Sequence, residues 1–194
     1  MSDKGPNILK AIRQVRTLHG QVALLLQTAE SMIKKSGWTP AWGNNAVSGS
    51  NSILAPDWWA PIAASRFFHV AEYPNLLAFI SVLLDDVEEQ NRLQEPLVTC
   101  GWIDYGKGTT AGGNFFWWYC RAHLFQADHV EDGSIFSGAR QQLYPKSNYP
   151  IKRISTFALP LASINSSDDL QAKVIDVLLK QTESVWQFEQ VDPI

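Results

Sequence analysis

A seam of positions spaced alternately four and three residues apart runs through Ile8, Ile12, Val15, His19, Val22, Leu26, Ala29 and Ile33, apolar at every step except His19. That is the period of a coiled-coil stripe, and it predicts an amphipathic helix over 7–35. Leu18, Leu25 and Met32 widen the stripe on one side. Asn7 stands where an N-cap belongs, and Gly37 where a helix ends, with Lys34 and Lys35 suiting the negative end of the dipole. A rod of this length measures roughly 40 Å, more than one domain needs. Part of it is expected to lie across its own sheet and part of the stripe to pack on a second copy. Gly20, which costs about 1 kcal/mol against alanine in mid-helix, suggests close approach of another backbone.

The helical period stops at Gly37. The stretch "GWTPAWGNNAVSGSNS" (37–52) is rich in Gly, Asn and Ser and reads as a long mobile loop, able to hinge the helix away from the body. Residues 57–73 are ambiguous between a short helix after Pro61 and a strand over 65–73 that turns at Pro74-Asn75; the strand is preferred. "LLAFISVLL" (76–84) is continuously apolar, as a strand covered on both faces would be. After the charged connection 85–96, "LVTCGWIDY" (97–105) predicts a second strand and "FFWWYCRAHLFQ" (115–126) a third, paired as a hairpin through a Gly-rich loop. Residues 134–150 read as irregular, with one helical turn near Gln141. "IKRISTFALPL" predicts a last strand, and 166–186 a closing helix capped by Ser166 and Asp169, with Leu170, Val174, Leu178 and Val185 inward.

These elements define an α+β fold: a mostly antiparallel sheet of four or five strands with a long N-terminal helix and a C-terminal helix packed on it. The domain expectation is a single unit over 1–194, made of the helix 1–36, a mobile loop 37–56, and the sheet with its helix over 57–194. The 194 residues are 45% hydrophobic and 18% charged, in keeping with a folded globule. Eight tryptophans imply an aromatic core or ring-lined cleft.

A net charge of −3 speaks against a uniformly basic nucleic-acid binder, but the charge is blocked. Residues 1–36 carry six Lys/Arg against Asp3 and Glu30, and 72–104 carry seven acids against Arg92. Such blocks are solvated faces or surfaces that meet across an oligomer. Cys100 and Cys120 lie in apolar runs and read as buried thiols rather than a disulfide framework. The start of the chain lacks the apolar core of a signal peptide, and no apolar run is long enough to cross a bilayer. A cytoplasmic protein without membrane contact is expected.

Residues 101–109, "GWIDYGKGT", match the G-x-x-x-x-G-K-G-T spacing of a nucleotide-kinase phosphate loop. The resemblance covers nine residues. It would imply ATP binding, but its bulky strand-forming interior, its acid Asp104 and the later Gly112 and Gly113 oppose a phosphate-cradling turn into a helix. His123, Asp128, His129, Glu131 and Asp132 crowd together in a donor set suited to a metal-assisted hydrolase, though without a recognisable ligand spacing. Asp85, Asp86, Asp104 and Lys107 raise a metal-nuclease core, with Asp104 and Lys107 out of phase on a strand. Residues 139–153 interleave Arg140, Lys146, Lys152 and Arg153 with Tyr144 and Tyr149, a composition used by single-strand nucleic-acid binders.

The preferred candidate site is the strand face carrying Trp117, Tyr119, Arg121 and His123, two flat rings followed by a guanidinium and an imidazole, where a planar anion would stack on the rings and pair with Arg121. The expectation is a non-catalytic, self-associating protein that binds a ligand or partner, a homodimer through its N-terminal helix, with no cofactor and no metal. A metal-assisted hydrolase is the alternative and weak nucleic-acid binding through 139–153 the third reading.

Overall fold

The computed structural model describes residues 4–41, 47–48, 63–70, 73–85, 93–106, 133, 135–139 and 151–189. Helix α1 (Lys4–Lys35) is followed by β1 (Thr39–Pro40), β2 (Val47–Ser48), β3 (Ala63–Val70), β4 (Tyr73–Leu83), β5 (Leu97–Asp104), β6 (Phe136–Ala139) and β7 (Arg153–Pro160). A short 3₁₀ turn (Leu161–Ser163) leads into α2 (Ser167–Leu170), a π-helical turn (Gln171–Ile175) and α3 (Asp176–Glu189). The strands form one antiparallel sheet in the order β1-β3-β4-β5-β7-β6, with β2 also on β3. The protein therefore has an α+β fold, with a helix from each end of the chain on the sheet.

Strand alternation builds two buried layers. On one face the rows Ala64–Val82–Val98–Leu159, Arg66–Ile80–Cys100–Phe157 and Phe68–Ala78–Trp102–Ser155 run across β3, β4, β5 and β7. Val22, Leu26, Ala29 and Ile33 of α1 join this face, beside Leu170, Val174, Ile175 and Leu178 from the C-terminal helical segment. Each large aliphatic side chain taken from water in this way stabilises the fold by about 1.5–3 kcal/mol. The opposite face is buried too, with Phe67 and Phe79 in ring contact at 6.0 Å and Ala63, Leu83, Leu97 and Ala158 packed with Leu93. A strand buried on both faces explains why 76–84 is apolar without alternation.

Several local expectations are corrected. Asn7 does not cap α1, because the helix already includes Lys4; Pro6 fits the first turn, where its missing N–H has no intrahelical partner to lose. Pro74 and Asn75 lie inside β4 rather than at a turn, since Val70 already pairs with Tyr73. The 37–52 segment contains β1 and β2, and 134–150 contains β6, so edge pairing organises stretches whose composition reads as loop. The hairpin expected between 97–105 and 115–126 has no edge to form on: β5 is laddered to β4 on one side and β7 on the other over its full length. Residues 115–126 themselves lie outside the described residues.

Local signals hold elsewhere. Ser166 accepts from the Asp169 amide at 3.0 Å as the N-cap of α2. Gly37, at φ 84°, closes α1 with its amide 3.1 Å from the Lys34 carbonyl. Among the described residues no helix is long and apolar enough to cross a membrane.

Candidate functional site

The nucleotide-like motif is explained by sheet geometry. Gly101 sits in the middle of β5 with Phe79 and Thr156 as its neighbours. A Cβ there would stand 2.0 Å from the Ser155 carbonyl oxygen, so glycine is required by strand approach rather than by an anion. Trp102, Ile103 and Asp104 continue the strand, so the residues that would wrap a phosphate between the motif's first two glycines are laddered instead. The buried Asp104 carboxylate instead accepts from Asn75 Nδ2 at 3.0 Å and from the Gly106 amide at 2.7 Å. Gly106 adopts φ 82°, a conformation glycine supplies without strain. The amide that the motif reading would aim at phosphate thus serves a carboxylate of the same chain.

The nuclease arrangement is also taken apart. Asp104 pairs with Leu76 at one end of β4, whereas Asp85 lies beyond Leu83 at the other. Seven strand steps separate Leu76 from Leu83, roughly 24 Å at the usual rise. Two such distant carboxylates cannot share an ion.

Two features of α1 emerge in place of these motifs. The first is its division. Every residue from Gly5 to Thr17 is exposed, including Ile8 at 61% and Leu9, Ile12 and Val15 at 46–48%, while the same seam is buried from Val22 onward. Among the described residues nothing lies within 4 Å of a Cβ built on Gly20, so none of their backbone approaches it. Further along, Leu18, Leu24 and Leu25 wall a cleft of about 520 Å³ against Leu161, Ile164 and the start of α2.

The second is an ionic cluster between α1 and β3. Arg66 lies on the helix-facing side of the sheet, in the row with Ile80, Cys100 and Phe157, and its side chain is 8% exposed. Its Nε donates to Glu30 Oε2 at 2.8 Å, and its Nη2 donates to the same oxygen. Lys34 Nζ meets the other oxygen, Oε1, at 2.6 Å. Burial opposes ionisation of Glu30, but the hydrogen bonds from Lys34 and Arg66 and their charges outweigh it and hold its carboxyl below the usual range. This cluster lines a groove of about 620 Å³ whose remaining walls include Gln27, Ser31, Ala23 and Leu26.

Compared with known proteins, the chain matches no family model, no curated protein and no solved structure. Its chemistry has to be argued from its own residues.

Trp117, Tyr119, Arg121 and His123 lie outside the described residues, as do the donor set 123–132 and Arg140, Tyr144, Lys146 and Tyr149. Of the basic stretch, Lys152 and Arg153 are described and exposed; Lys152 donates its amide to the Asp104 carbonyl, and Arg153 is the register partner of Asp104. Among the described residues no group of three metal-ligating side chains comes together. Sequence reading missed Arg66, although a signal was present. In "AASRFFHV" Arg66 shares its alternation with Ala64 and Phe68, which marks a charge on a core-facing position. The central row Ser65–Ser81–Thr99 was likewise passed over; it threads hydroxyls through the other buried face, with Ser65 and Ser81 bonded at 2.8 Å.

Proposed function

We propose that the protein is a non-catalytic binding protein that self-associates, the exposed half of α1 pairing with the same segment of a second copy. The observation that carries this reading is the mismatch along one seam: its period continues unbroken to Ile8, while its burial ends near Leu18. A second α1 is the natural occupant because the stripe already has the period that two helices share, and Ala11 and Leu18 flank it with apolar surface. At about 100° per residue, Lys10 and Arg13 fall on the side away from Ile8, while Arg16 lies about 80° from it, at the edge of the seam.

The ligand face we propose is Trp117, Tyr119, Arg121 and His123, supported by their alternate spacing in an aromatic run. Two rings beside a guanidinium and an imidazole suit a planar anion, which would stack on the rings and pair with Arg121.

Light scattering on the full chain tests the association. The expected result is a dimer mass that falls to monomer in the double variant Ile8→Glu/Ile12→Glu, with the cooperative unfolding of the sheet core retained. A wild-type protein at monomer mass over a wide concentration range overturns the reading.

A further inference from the structure

The seam of α1 also dictates how a second copy can lie on it, an inference that rests on the self-association proposed above. We infer that the two arms pair antiparallel, with the sheets at opposite ends and Ile8 level with Val15 of the second copy. The reasoning begins with the helical period. At about 3.6 residues per turn, Ile8 points the same way as Leu26, and Val15 the same way as Ile33. Because α1 is unbroken from Lys4 to Lys35, the exposed and buried parts of the stripe lie on one side of a single rod.

Along the second half of α1 that side is already taken. Val22, Leu26, Ala29 and Ile33 are buried in one core with Phe68, Ala78, Ile80 and Val82 of the sheet. Packed helices lie about 8–10 Å apart. A second α1 laid parallel on Ile8, Ile12 and Val15 would continue past Leu18 on the same side. Its residues 22–33 would then need the space that those strand residues fill, and its own sheet would meet the first helix in the same way. An antiparallel partner avoids both collisions, because its buried half runs out beyond Lys4 of the first helix.

The same packing sets the register. Every residue from Gly5 to Thr17 is exposed, Leu18 and His19 are half-buried, and Val22 is buried. The overlap that uses this free length without driving either helix end into the other core sets Gly5 level with Leu18. Ile8 then lies level with Val15 and Ile12 with Ala11, so the exposed seam residues of the two copies meet. Arg16, at the edge of the seam, falls level with the uncharged Asn7.

Spin labels and cysteine pairs on the full chain test the arrangement. A nitroxide at Gln27→Cys, an exposed position, is expected about 45 Å from its counterpart in the antiparallel dimer and within about 25 Å in a parallel one. Pulsed double electron–electron resonance reads the distance, with identically treated wild type as the blank for the native thiols. Chains carrying Ile8→Cys mixed with chains carrying Val15→Cys are expected to form a disulfide-linked dimer on oxidation. Neither variant alone is expected to do so, since its two thiols lie about 10 Å apart along the axis. Light scattering on the same samples separates the two readings. A dimer mass with the short Gln27 distance, or with Ile8→Cys linking to itself, overturns the antiparallel arrangement and leaves self-association standing. A monomer mass overturns self-association, and the arrangement with it.

Discussion

At Gly101 a methyl group would lie 2.0 Å from the Ser155 carbonyl oxygen and 2.9 Å from the Thr156 Cα. Both are backbone atoms held by the β5–β7 ladder, so neither can move aside without breaking it. Gly101→Ala is therefore expected to cost about 3 kcal/mol, at the upper end of overpacking effects, measured by urea unfolding. Gly106→Ala meets only the Lys152 side chain, at 3.8 Å, and is expected to cost about 1 kcal/mol through its positive φ. A Gly101→Ala protein as stable as wild type would contradict the strand approach. The same pair explains the misleading motif. Two glycines at phosphate-loop spacing were legible, but the reason for the first lies in a strand far along the chain. The acid Asp104, by contrast, was a correct local objection, and its carboxylate occupies the Gly106 amide.

Glu30 adds a pH dependence at the same scale. Its folded-state pKa is held down by Lys34 and Arg66 against the opposing effect of burial. The stabilisation is therefore present in full above the unfolded carboxyl value of about 4.3, and is lost as pH falls through the lower folded value. Wild type should exceed Glu30→Gln in thermal midpoint near pH 7, and the gap should close below about pH 4. A gap that is unchanged at pH 3 would mean the pair contributes through packing alone.

Among the elements, helices were the most legible because their signals are local. Ser166 and Asp169 lie three residues apart and bond as the spacing predicts, and Gly37 ends α1 at the expected place. Asn7 misled because propensity alone cannot tell a cap from an interior first turn. The π-helical turn at Gln171–Ile175, which lets Val174 and Ile175 both reach the core, has no comparable signature. Composition was weakest at the sheet edges, where β1, β2 and β6 owe their strand form to a partner rather than to their own residues. The halves of α1 differ in what holds them. Residues 22–33 are fixed by core packing, while 5–17 depend on helix propensity and on whatever covers Ile8 and Ile12. Amide exchange in 5–17 should accordingly slow as protein concentration rises, with exchange in 22–33 unchanged. Fast, concentration-independent exchange throughout 5–17 would show an uncovered arm.

For the molecule as a whole, the order of strands was only half readable. Sequential pairing holds from β3 through β5, but β7 then takes the free edge of β5 and β6 lies outside it. Edge choice of this kind depends on which long-range ladder wins, and periodicity carries no information about it. The candidate site suffered from the same limit, since Arg66 and Glu30 meet only because α1 crosses β3. This architecture concentrates folding in the sheet, the second half of α1 and the C-terminal helical segment, all joined in one core. The exposed arm contributes none of that core, because no residue from Gly5 to Thr17 is buried. Removal of residues 1–17 should therefore leave the thermal midpoint of the monomeric body within about 3 °C of the Ile8→Glu/Ile12→Glu variant, while the dimer mass disappears. A truncated chain that fails to fold would show that the arm supports its own body, and one that still dimerises would move the interface off the arm. Either result separates the two roles that α1 combines, clamping the sheet at Arg66 and reaching beyond it at Ile8.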